Sequence, residues 1–536
     1  MKRYLSFLLI MLMALSLAAC ASQPAEEPAP SEEPAAEEPA AEEPEAEEPA
    51  TDSKYGGEIV ITDFPFTDVK SLDPHVVGAA GEMRHIENMY NGLLRYKEGT
   101  YGEVEGDLAK SYSVSDDNLT YTFELHEGVT FHNGDPLTAA DVKYSIERII
   151  DQEVRASFFT GLQSVETPDD TTVVITFEKP VAPFTTFLAN PMTAIVNKNV
   201  VEANDGSLAT VDAGSGPFML ESWQKDQQMT LVKYDDYFEE GLPYLDKVVL
   251  KPIPDESARN TAIRTGEVDM ILQVDAKDVM TLGSESDIVV DSVPGSYWEY
   301  IGMNMREGPL AVKEVRQAIA HGIDKEAMNQ AIKFGEATVL TGAMIPPGHW
   351  AYADLDMYPA QNLQKAEELL AAGGYPDGFD VEMIVLSNSD IAIAAAQMTK
   401  QQLAPLGINV TVSALESGVY FEKLGSGDFE LTEIGWVGFI DPDEFLYNIF
   451  YTDGMWNQQG YSNPEFDALL DQGRTTIDQD ERKAIYTEAQ EILADDAPMA
   501  FLYVNNQISA YRDHVKGFDV NATVTLKSLK NTWIEK

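Results

Sequence analysis

The chain has 536 residues, 44% of them hydrophobic, and this length exceeds what one hydrophobic core usually organises, so we expect two or more globular lobes. Its 90 acidic and 36 basic residues give a formal net charge of -54, which argues strongly against nucleic-acid binding because phosphate contacts need clustered lysine and arginine. Cys20 is the only cysteine, so the sequence contains neither a disulfide framework nor a thiolate metal cage.

The first residues have the pattern of an export signal. A short basic start precedes the apolar stretch Leu5 to Leu17, which is too short to be a confident membrane-spanning helix. The four residues from Leu17 to Cys20 resemble the bacterial lipobox, in which the cysteine is diacylated and becomes the mature N-terminus after cleavage. The resemblance implies a signal peptide over residues 1–19 and a lipid anchor on Cys20, since two acyl chains suffice for stable membrane attachment.

Residues 20–54 are predicted to form a tether. From Ala21 to Ser53 the sequence repeats Glu-Glu-Pro-Ala, contains no aromatic residue, and combines many like charges with regular prolines. Such a segment cannot form a core and stays extended and solvated. We expect it to hold the folded part of the chain away from the membrane.

The globular part opens with an apolar strand, Glu58 to Thr62, and a helix is predicted from Glu82 to Leu94. Between them lies a loop of small residues, whose backbone N–H groups can meet a ligand carboxylate or carbonyl. Gly78, Ala79 and Ala80 are therefore candidate ligand-binding residues. A merely permissive turn is the alternative interpretation.

Just past the middle of the chain, residues 288–324 have the pattern strand, break, strand, helix. Ile288 to Val290 is a β-branched run, the pair Pro294-Gly295 breaks it, and Tyr297 to Met305 reads as a second, aromatic-rich strand. Two extended segments joined at one Pro-Gly pair suit a chain that leaves one lobe and enters another, because a few residues can absorb a hinge rotation. On the local sequence alone, an interior hairpin of one domain is an equal alternative.

The block from Leu108 to Arg148 carries the most specific signal. Strand Tyr121 to Leu125 is followed by a turn, a second short strand and a helix that Thr138 caps. Its sequence Gly-Val-Thr-Phe-His-Asn-Gly-Asp-Pro-Leu-Thr-Ala-Ala-Asp-Val resembles the signature of the family 5 extracellular solute-binding proteins, the dipeptide, oligopeptide and nickel receptors of ABC importers. Only His126 departs from the signature, at a position where the family usually has a basic residue.

Other segments extend this resemblance over nearly the whole mature chain. They are Gly214 to Phe218, Arg259 to Asp269, Asn304, Val315 to Ala318, and Ile323 to Lys325. In this family the chain crosses to the second lobe at the segment that follows residue 288 and returns near the C-terminus, here around Pro498 to Ile508. The resemblance therefore favours the hinge over the interior hairpin.

The resemblance implies an α/β, two-lobed, periplasmic-binding-protein-like fold of type II, in the large three-subdomain variety, with a hinge between the lobes. The alternation of helices and strands in the second half independently favours an α/β lobe with a mainly parallel sheet. We predict lobe 1 over residues 55–296, with an inserted subdomain at about 95–215, lobe 2 over residues 297–500, and a return to lobe 1 over residues 501–536.

Ligands of such sheets bind outside the carboxyl ends of the strands, which points to the residues after Trp436. The segment Gly435 to Pro442 resembles the family's Trp-x-x-Asp-x-x-Asp-Pro, whose first aspartate, in peptide-binding members, pairs with the ligand's α-ammonium. Phe439 stands at that position, and an apolar ring offers an ammonium only a weaker cation–π contact. Asp441 or Asp443 could take over this role, although both are better placed to cap the following helix.

The helix predicted from Ile391 to Leu403 has no arginine, where some dipeptide-binding members hold the ligand's carboxylate. The remaining candidate ligand contacts besides Asp441 are aromatic: Tyr297, Trp298, Trp436, Phe439 and Trp456. Aromatic walls with few polar anchors suit a largely uncharged or apolar ligand, or a longer peptide held by its backbone. Core packing is the competing interpretation for each ring.

Neither a protein metal site nor a catalytic centre is predicted. The seven histidines are scattered without the spacing of a metal site, although a metal carried as a chelate stays open. The sequence has no Gly-x-Ser-x-Gly elbow and no Gly-Lys dipeptide for a phosphate loop.

We therefore predict a non-enzymatic, monomeric substrate-binding lipoprotein of an ABC importer, with no cofactor. It is held outside the cytoplasm, in the periplasm or on the outer face of the cell membrane, by acylated Cys20 in the lipid bilayer. A peptide or peptide-like ligand binds between the lobes and passes to a membrane permease. The alternatives are a neutral sugar, an apolar metabolite or a metal chelate in the same role, and, less favoured, an exported hydrolase.

Overall fold

The computed structural model describes residues 54–63, 69–77, 80–437 and 440–536. The predicted signal peptide, the predicted lipidation site Cys20 and nearly all of the tether lie outside these residues. So do Gly78, Ala79 and Phe439 among the predicted ligand contacts. No helix in the described part of the chain is both long and apolar enough to cross a membrane.

Strands and helices alternate through most of the chain. The strands are β1 (Glu58–Thr62), β2 (Leu94–Tyr96), β3 (Val104–Gly106), β4 (Ala109–Val114), β5 (Thr120–Leu125), β6 (Leu162–Glu166), β7 (Thr172–Phe177), β8 (Phe218–Gln224), β9 (Gln228–Lys233), β10 (Lys247–Leu250), β11 (Met270–Ile271), β12 (Ile288–Met303), β13 (Ala337–Val339), β14 (Phe379–Leu386), β15 (Ile408–Leu415), β16 (Leu431–Val437), β17 (Met499–Arg512), β18 (Val515–Lys516) and β19 (Trp533–Ile534). The α-helices are α1 (Ala80–Ile86), α2 (Ala139–Asp151), α3 (Phe184–Ala189), α4 (Lys198–Ala203), α5 (Glu256–Thr265), α6 (Val279–Leu282), α7 (Lys313–Gly322), α8 (Lys325–Ile332), α9 (Leu363–Ala372), α10 (Asp390–Leu403), α11 (Ser417–Ser426), α12 (Pro442–Phe450), α13 (Pro464–Thr475) and α14 (Gln479–Asp496).

The signature block folds locally as its pattern predicts. Side chains in β5 alternate between buried and half-buried, so that Tyr121 and Phe123 enter the same core as Val142 of α2. The backbone N–H of Thr138 donates to the Asp141 carboxylate at 3.0 Å. This contact is half of a capping box and explains why α2 begins directly after Thr138.

The helix predicted from Glu82 to Leu94 is too long. Helix α1 ends at Ile86, a single 3₁₀ turn covers Glu87–Met89, and Leu94 already begins β2. Tyr90 is extended, and its hydroxyl donates to the carbonyl oxygen of Leu72 at 2.8 Å. A tertiary hydrogen bond therefore helps to hold this residue out of the helix that its local pattern favours.

One mixed sheet runs through the molecule in the order β15-β14-β16-β12-β17-β11-β1-β10-β9-β8, and β13 also pairs with β17. Strand β14 is parallel to β15 and β16, and β1 is parallel to β10 and β11. Strand β12 is antiparallel to both β16 and β17. The mainly parallel sheet expected for the second half is thus limited to β14, β15 and β16.

Strands β12 and β17 form the central ladder of this sheet. Ile288–Pro294 pairs with Asn506–Arg512, and Trp298–Gly302 pairs with Met499–Val504. Between these stretches, residues 295–297 of β12 are opposite a single residue of β17, so the ladder contains a β-bulge. The predicted pair of strands separated at Pro294-Gly295 is therefore wrong, because the Pro-Gly pair distorts the ladder without ending it.

Different hydrophobic cores lie on the two sides of the bulge. Ile288 and Ala510 belong to the core packed around α5, whereas Trp298 and Phe501 belong to a core built with α12, α13 and α14. A separate core lies within residues 93–195, on the four-stranded sheet β4-β5-β7-β6. Both long strands thus pass from one core to another at the bulge, as a chain crossing between lobes would. The lobe and subdomain boundaries stay predictions.

We expect Gly295→Ala to destabilise the protein by about 1–3 kcal/mol. A Cβ atom at this position would lie 2.5 Å from the carbonyl oxygen of Asn505, so the bulge would have to open. Urea unfolding measures the loss of free energy of unfolding. The matched control is Gly425→Ala in α11, where nothing lies within 4 Å of an added Cβ and alanine raises helix propensity. A Gly295→Ala variant as stable as the wild type would show that the bulge is not closely packed.

Candidate ligand-binding site

Strands β12 and β16 bring several predicted aromatic contacts together. Trp298 and Trp436 are directly opposite in the antiparallel ladder, so their side chains share one face of the sheet. The ring of Trp456 lies 5.0 Å from that of Trp436, centroid to centroid. Tyr297 points to the other face, where its ring covers Gly435. The three tryptophans therefore lie together at the carboxyl end of β16, with Trp298 and Trp436 on neighbouring strands of one sheet, and Tyr297 lies on its other face.

Neighbouring side chains of the hydrophobic core cover most of the Trp298 side chain. Trp298 is 2% exposed, and its ring centroid lies 4.9 Å from that of Tyr300 and 5.8 Å from that of Phe501. Trp436 and Trp456 are only half-buried, and Tyr297 is 38% exposed. The role of these four residues in ligand binding stays a prediction, as does that of Gly78, Ala79 and Phe439 outside the described residues. Ala80 begins α1.

A small crevice, with room for about one water molecule, lies beside Trp298. Its walls include Tyr101, Ser296, Met344, His349 and Phe445. These residues come from the turn between β2 and β3, the bulge of β12, the segment before α9, and α12. The β2–β3 turn, the central bulge and α12 therefore meet around this crevice.

The turn between β2 and β3 closes one side of the crevice. The Tyr101 hydroxyl donates to the carbonyl oxygen of Gly295 at 2.7 Å, and its ring lies edge-on to His349 with centroids 5.1 Å apart. Gly102 has a φ of +84°, and an added Cβ would overlap Ile440, so only glycine fits this approach. The contact brings the β2–β3 turn directly against the residue that precedes Asp441.

A second contact spans the same two parts of the chain. The backbone N–H of Ala182, in the loop before α3, donates to the carbonyl oxygen of Arg474 in α13, with an N···O distance of 2.9 Å. This main-chain hydrogen bond connects the region of strands β4–β7 to the region of helices α12–α14.

Asp441 and Asp443, the two predicted substitutes for the family aspartate, are held by arginines. Asp441 caps α12 by accepting the backbone N–H of Asp443 at 3.0 Å, and its carboxylate also binds Arg482 through two hydrogen bonds of 2.8 and 2.9 Å. Asp443 lies 3.0 Å from Arg474. The predicted capping role is confirmed for Asp441, whereas Asp443 occupies the first turn without being the cap. The carboxylates of Asp441 and Asp443 are therefore each paired with an arginine.

Glu444 is the third acid of this turn and is not predicted by the sequence pattern. It is half-buried and forms no ion pair with the described residues. Burial, followed by the carboxylates of Asp441 and Asp443, raises the pKa of Glu444 well above its ordinary value, and the Asp441 backbone N–H and Arg155 oppose this shift. The Glu444 carboxylate also raises the pKa of Tyr96, after burial. Tyr96 and Arg155 come from the region of residues 93–195, so Glu444 faces that region.

Arg155 is a second residue that sequence reasoning missed. It lies at the start of a 3₁₀ turn after α2, donates to the carbonyl oxygen of Val154 at 3.1 Å, and contacts the sulfur of Met192 at 2.6 Å. It forms no ion pair with the described residues, although the Glu444 charge raises its pKa against the effect of burial. In the sequence, Glu444 is recognisable only as the acid three residues after a helix cap. No sequence pattern marks Arg155.

Two carboxylates share one lysine on the face of the sheet opposite to Trp298. Lys333 Nζ lies 2.6 Å from Glu299 Oε1, which also accepts a hydrogen bond of 2.9 Å from Asn505. Glu433 is diagonal to Glu299 in the β12–β16 ladder. Burial, followed by the Glu299 charge, raises the pKa of Glu433 to about 8, and Lys333 opposes this shift. Glu433 is therefore mainly protonated at neutral pH.

Residues 103–457 match the family described as "Bacterial extracellular solute-binding proteins, family 5 Middle". The chain belongs to this family. The match covers the signature block, strand β12 and helix α12. It confirms the family that the sequence motifs predict.

Relatives of known structure agree with this assignment. The chain is 31% identical to DppA from Helicobacter pylori, solved in complex with the peptide STSA, with a TM-score of 0.72 over 90% of this chain and 99% of that one. It is 26% identical to HbpA2 from Haemophilus parasuis, with a TM-score of 0.82 over 90% and 100% of the two chains. Family 5 periplasmic binding proteins have a two-lobed type II fold, which confirms the predicted fold class.

A curated relative extends the comparison. The glutathione-binding protein GsiB of Escherichia coli K12 is 29% identical over 461 residues, which cover 84% of this chain and 89% of that one. This family 5 protein is thus an extracytoplasmic solute-binding protein of an ABC importer. Its relatives are binding proteins rather than enzymes.

We expect the free energy of unfolding of the wild type to fall as the pH rises, because Glu433 is protonated in the folded state. Glu433→Gln should abolish this fall. The folded state keeps the Glu433 proton up to about pH 8, whereas the unfolded chain releases it near the ordinary pKa of 4.5. Relative to the variant, the wild type should therefore lose up to about 1.4 kcal/mol of unfolding free energy per pH unit within this window, and the difference should level off above it.

Urea unfolding of both proteins across this pH range measures the difference, in which the titration of all other groups largely cancels. Glu422→Gln, at an exposed position of α11, is the control and should show no such pH-dependent difference. A flat difference between wild type and Glu433→Gln would mean that Glu433 is ionised in the folded protein.

Proposed function

We propose that this protein is the receptor lipoprotein of a peptide importer, which binds a peptide or peptide-like ligand between its lobes and delivers it to an ABC permease. The observation that carries the proposal is the Glu444 carboxylate, which faces the opposite side of the cleft and has no cationic partner among the described residues. The relatives support the same class of ligand, since DppA from Helicobacter pylori was solved with a peptide and GsiB is named for glutathione.

Burial raises the pKa of Glu444, and a peptide's α-ammonium would provide the cation that lets this carboxyl group ionise on binding. A carboxylate removed from water is stabilised by a cation, and Arg482 and Arg474 already serve Asp441 and Asp443. Glu444 is therefore the acid of this turn that is available to a ligand. It would replace the family aspartate whose position Phe439 occupies.

Arg155 would bind the other charge of the ligand. It faces the same space from the opposite part of the chain and forms no ion pair with the described residues. A guanidinium group binds a carboxylate through paired hydrogen bonds. One anion and one cation on opposite sides of a cleft match a zwitterion better than a neutral sugar or an apolar metabolite, either of which would leave both charges unpaired.

Closure of the lobes would couple binding to transport. The packing of Gly102 against Ile440 and the Ala182–Arg474 hydrogen bond join parts of the chain that lie on different sides of the cleft. A ligand that binds more tightly when these contacts are made shifts the open–closed equilibrium toward the closed state. The closed surface would then be the one that the permease recognises.

Membrane attachment completes the proposed role. The lipobox-like residues Leu17 to Cys20 support acylation of Cys20, and the Glu-Pro-rich tether over residues 20–54 would let the receptor move above its permease. We propose that the protein acts as an anchored monomer.

Mass spectrometry of the small molecules released by denaturing gently purified protein tests the ligand class. We expect short peptides, because closure around a ligand with both charges paired slows its release. A single non-peptide compound would contradict the peptide assignment and leave the receptor role intact. Turnover of an added substrate would contradict the receptor role itself.

We expect Glu444→Gln to weaken binding of a released peptide by about 10- to 100-fold, because a hydrogen bond to a charged group contributes about 1.5–3 kcal/mol. Isothermal titration calorimetry should show that the N-acetylated peptide binds the wild type weakly and the variant no worse. The control is Glu465→Gln, an exposed acid in the first turn of α13. An equal loss of affinity for the free and acetylated peptides would show that Glu444 does not bind the ammonium.

A further inference from the structure

The turn between β2 and β3 places two adjacent residues against three other parts of the chain. The Tyr101 hydroxyl donates to the carbonyl oxygen of Gly295 in the bulge at 2.7 Å. The Tyr101 ring lies edge-on to His349, with centroids 5.1 Å apart, and Gly102 is so close to Ile440 that an added Cβ would overlap it. Together these contacts fix the position of the turn.

The turn and the residues that it contacts belong to different regions of the protein. Leu94, at the start of β2, packs in the core within residues 93–195. Trp350, next to His349, packs against the core built with α12, α13 and α14, and Ile440 lies two residues before α12. The turn thus meets the second region and the bulge at once. A different relative orientation of the two regions would break at least one of these contacts.

His349 is a firmly held partner for the Tyr101 ring. It is 4% exposed, and burial lowers its pKa to about 4, so the ring is neutral at pH 7. Its Nδ1 atom accepts the Ala351 N–H at 3.0 Å, which leaves the ring proton on Nε2, where it is donated to the Ile440 carbonyl oxygen at 2.7 Å. A series of contacts therefore runs from the bulge through Tyr101 and His349 to the start of α12.

The bulge is the point at which the central ladder is interrupted. Residues 295–297 of β12 lie opposite a single residue of β17, and a bulge of this kind leaves backbone groups without their ladder partners. A hinge rotation between two lobes is absorbed by a few residues, and the two cores meet at this bulge. The hydrogen bond to Gly295 therefore holds the β2–β3 turn at the place where the two regions would move.

We propose that Tyr101 is a positioning residue, whose hydroxyl holds the β2–β3 turn against Gly295 and thereby stabilises the closed arrangement of the lobes without contacting the ligand. The inference rests on the proposed receptor function and adds a residue that controls how firmly the closed form is held. A contact made only in the closed form shifts the open–closed equilibrium whatever the ligand is. Tyr101 would therefore affect every ligand equally, whereas Glu444 would act only on ligands with an ammonium group.

Exchange of the Ala182 amide hydrogen measures closure directly, because this N–H donates to the Arg474 carbonyl oxygen in the other region. In ligand-free protein, we expect Tyr101→Phe to speed this exchange by about 2- to 10-fold, as the loss of one neutral hydrogen bond allows. The variant keeps the ring beside His349. The amide of Phe123, inside the sheet of β4, β5 and β7, should exchange at an unchanged rate.

Two further variants separate positioning of the turn from general stability. Tyr112→Phe is the matched control, because this tyrosine of β4 is 40% exposed, and it should leave Ala182 exchange unchanged. Gly102→Ala displaces the turn by other means, since the added Cβ would overlap Ile440, and should speed the exchange. Adding Tyr101→Phe to Gly102→Ala should then have no additional effect, whereas two independent losses of stability would add.

Binding of a defined peptide tests the same residue with a ligand. By isothermal titration calorimetry, Tyr101→Phe should weaken trialanine and N-acetyl-trialanine by the same factor of about 2 to 10, because its effect is on closure. Glu444→Gln should weaken only the free peptide. Failure of trialanine to bind the wild type would count against the peptide assignment, and amide exchange in the ligand-free protein would still decide the role of Tyr101.

Two results would overturn the inference while leaving the proposed function standing. An Ala182 amide that exchanges equally fast in the wild type and in Tyr101→Phe would show that the hydroxyl does not stabilise closure. Equal acceleration at Ala182 and Phe123 would show that the hydroxyl stabilises only the fold.

Discussion

The bulged ladder between β12 and β17 is the constraint on which the rest of this structure depends. Its two halves belong to different hydrophobic cores, and three residues of β12 opposite one of β17 separate them. Register beyond the bulge decides which side chains share a face, because side chains alternate along a strand. Trp298 thereby joins Trp436 on one face, and Glu299 joins Glu433 on the other. The alternation of side chains along β12 thus places the aromatic cluster and the buried acids on opposite faces of the sheet.

Buried charge in this protein is distributed unevenly. Several buried carboxylates are paired with an arginine or lysine, as Asp441 is with Arg482 and Glu299 is with Lys333. Glu433 has no cation of its own and keeps its proton instead. Glu444 also forms no ion pair with the described residues, which distinguishes it from Asp441 and Asp443 in the same turn. The missing ion pair of Glu444, rather than the net charge of the chain, is what points to the cleft as a ligand-binding site.

The sequence predicts the family and the fold class because a long signature identifies them. The aromatic cluster is also predictable, since Trp436 ends a recognisable strand. Other features depend on contacts between residues distant in sequence. Arg482 forms an ion pair with Asp441, which lies 41 positions earlier in the sequence. Arg155 lies at the cleft in a turn that carries no sequence motif. The bulge escapes prediction for a related reason, because a Pro-Gly pair ends a strand unless a partner strand continues past it.

The hydrogen bond between Ala182 and Arg474 has an evolutionary consequence. It joins two main-chain atoms, so no side chain takes part in it. Any residue but proline can occupy either position without losing the donor or the acceptor. Descendants of this protein could therefore exchange the residues that line the cleft, and acquire new ligands, while this clasp between the two regions is inherited unchanged. This one contact would then not constrain changes in specificity.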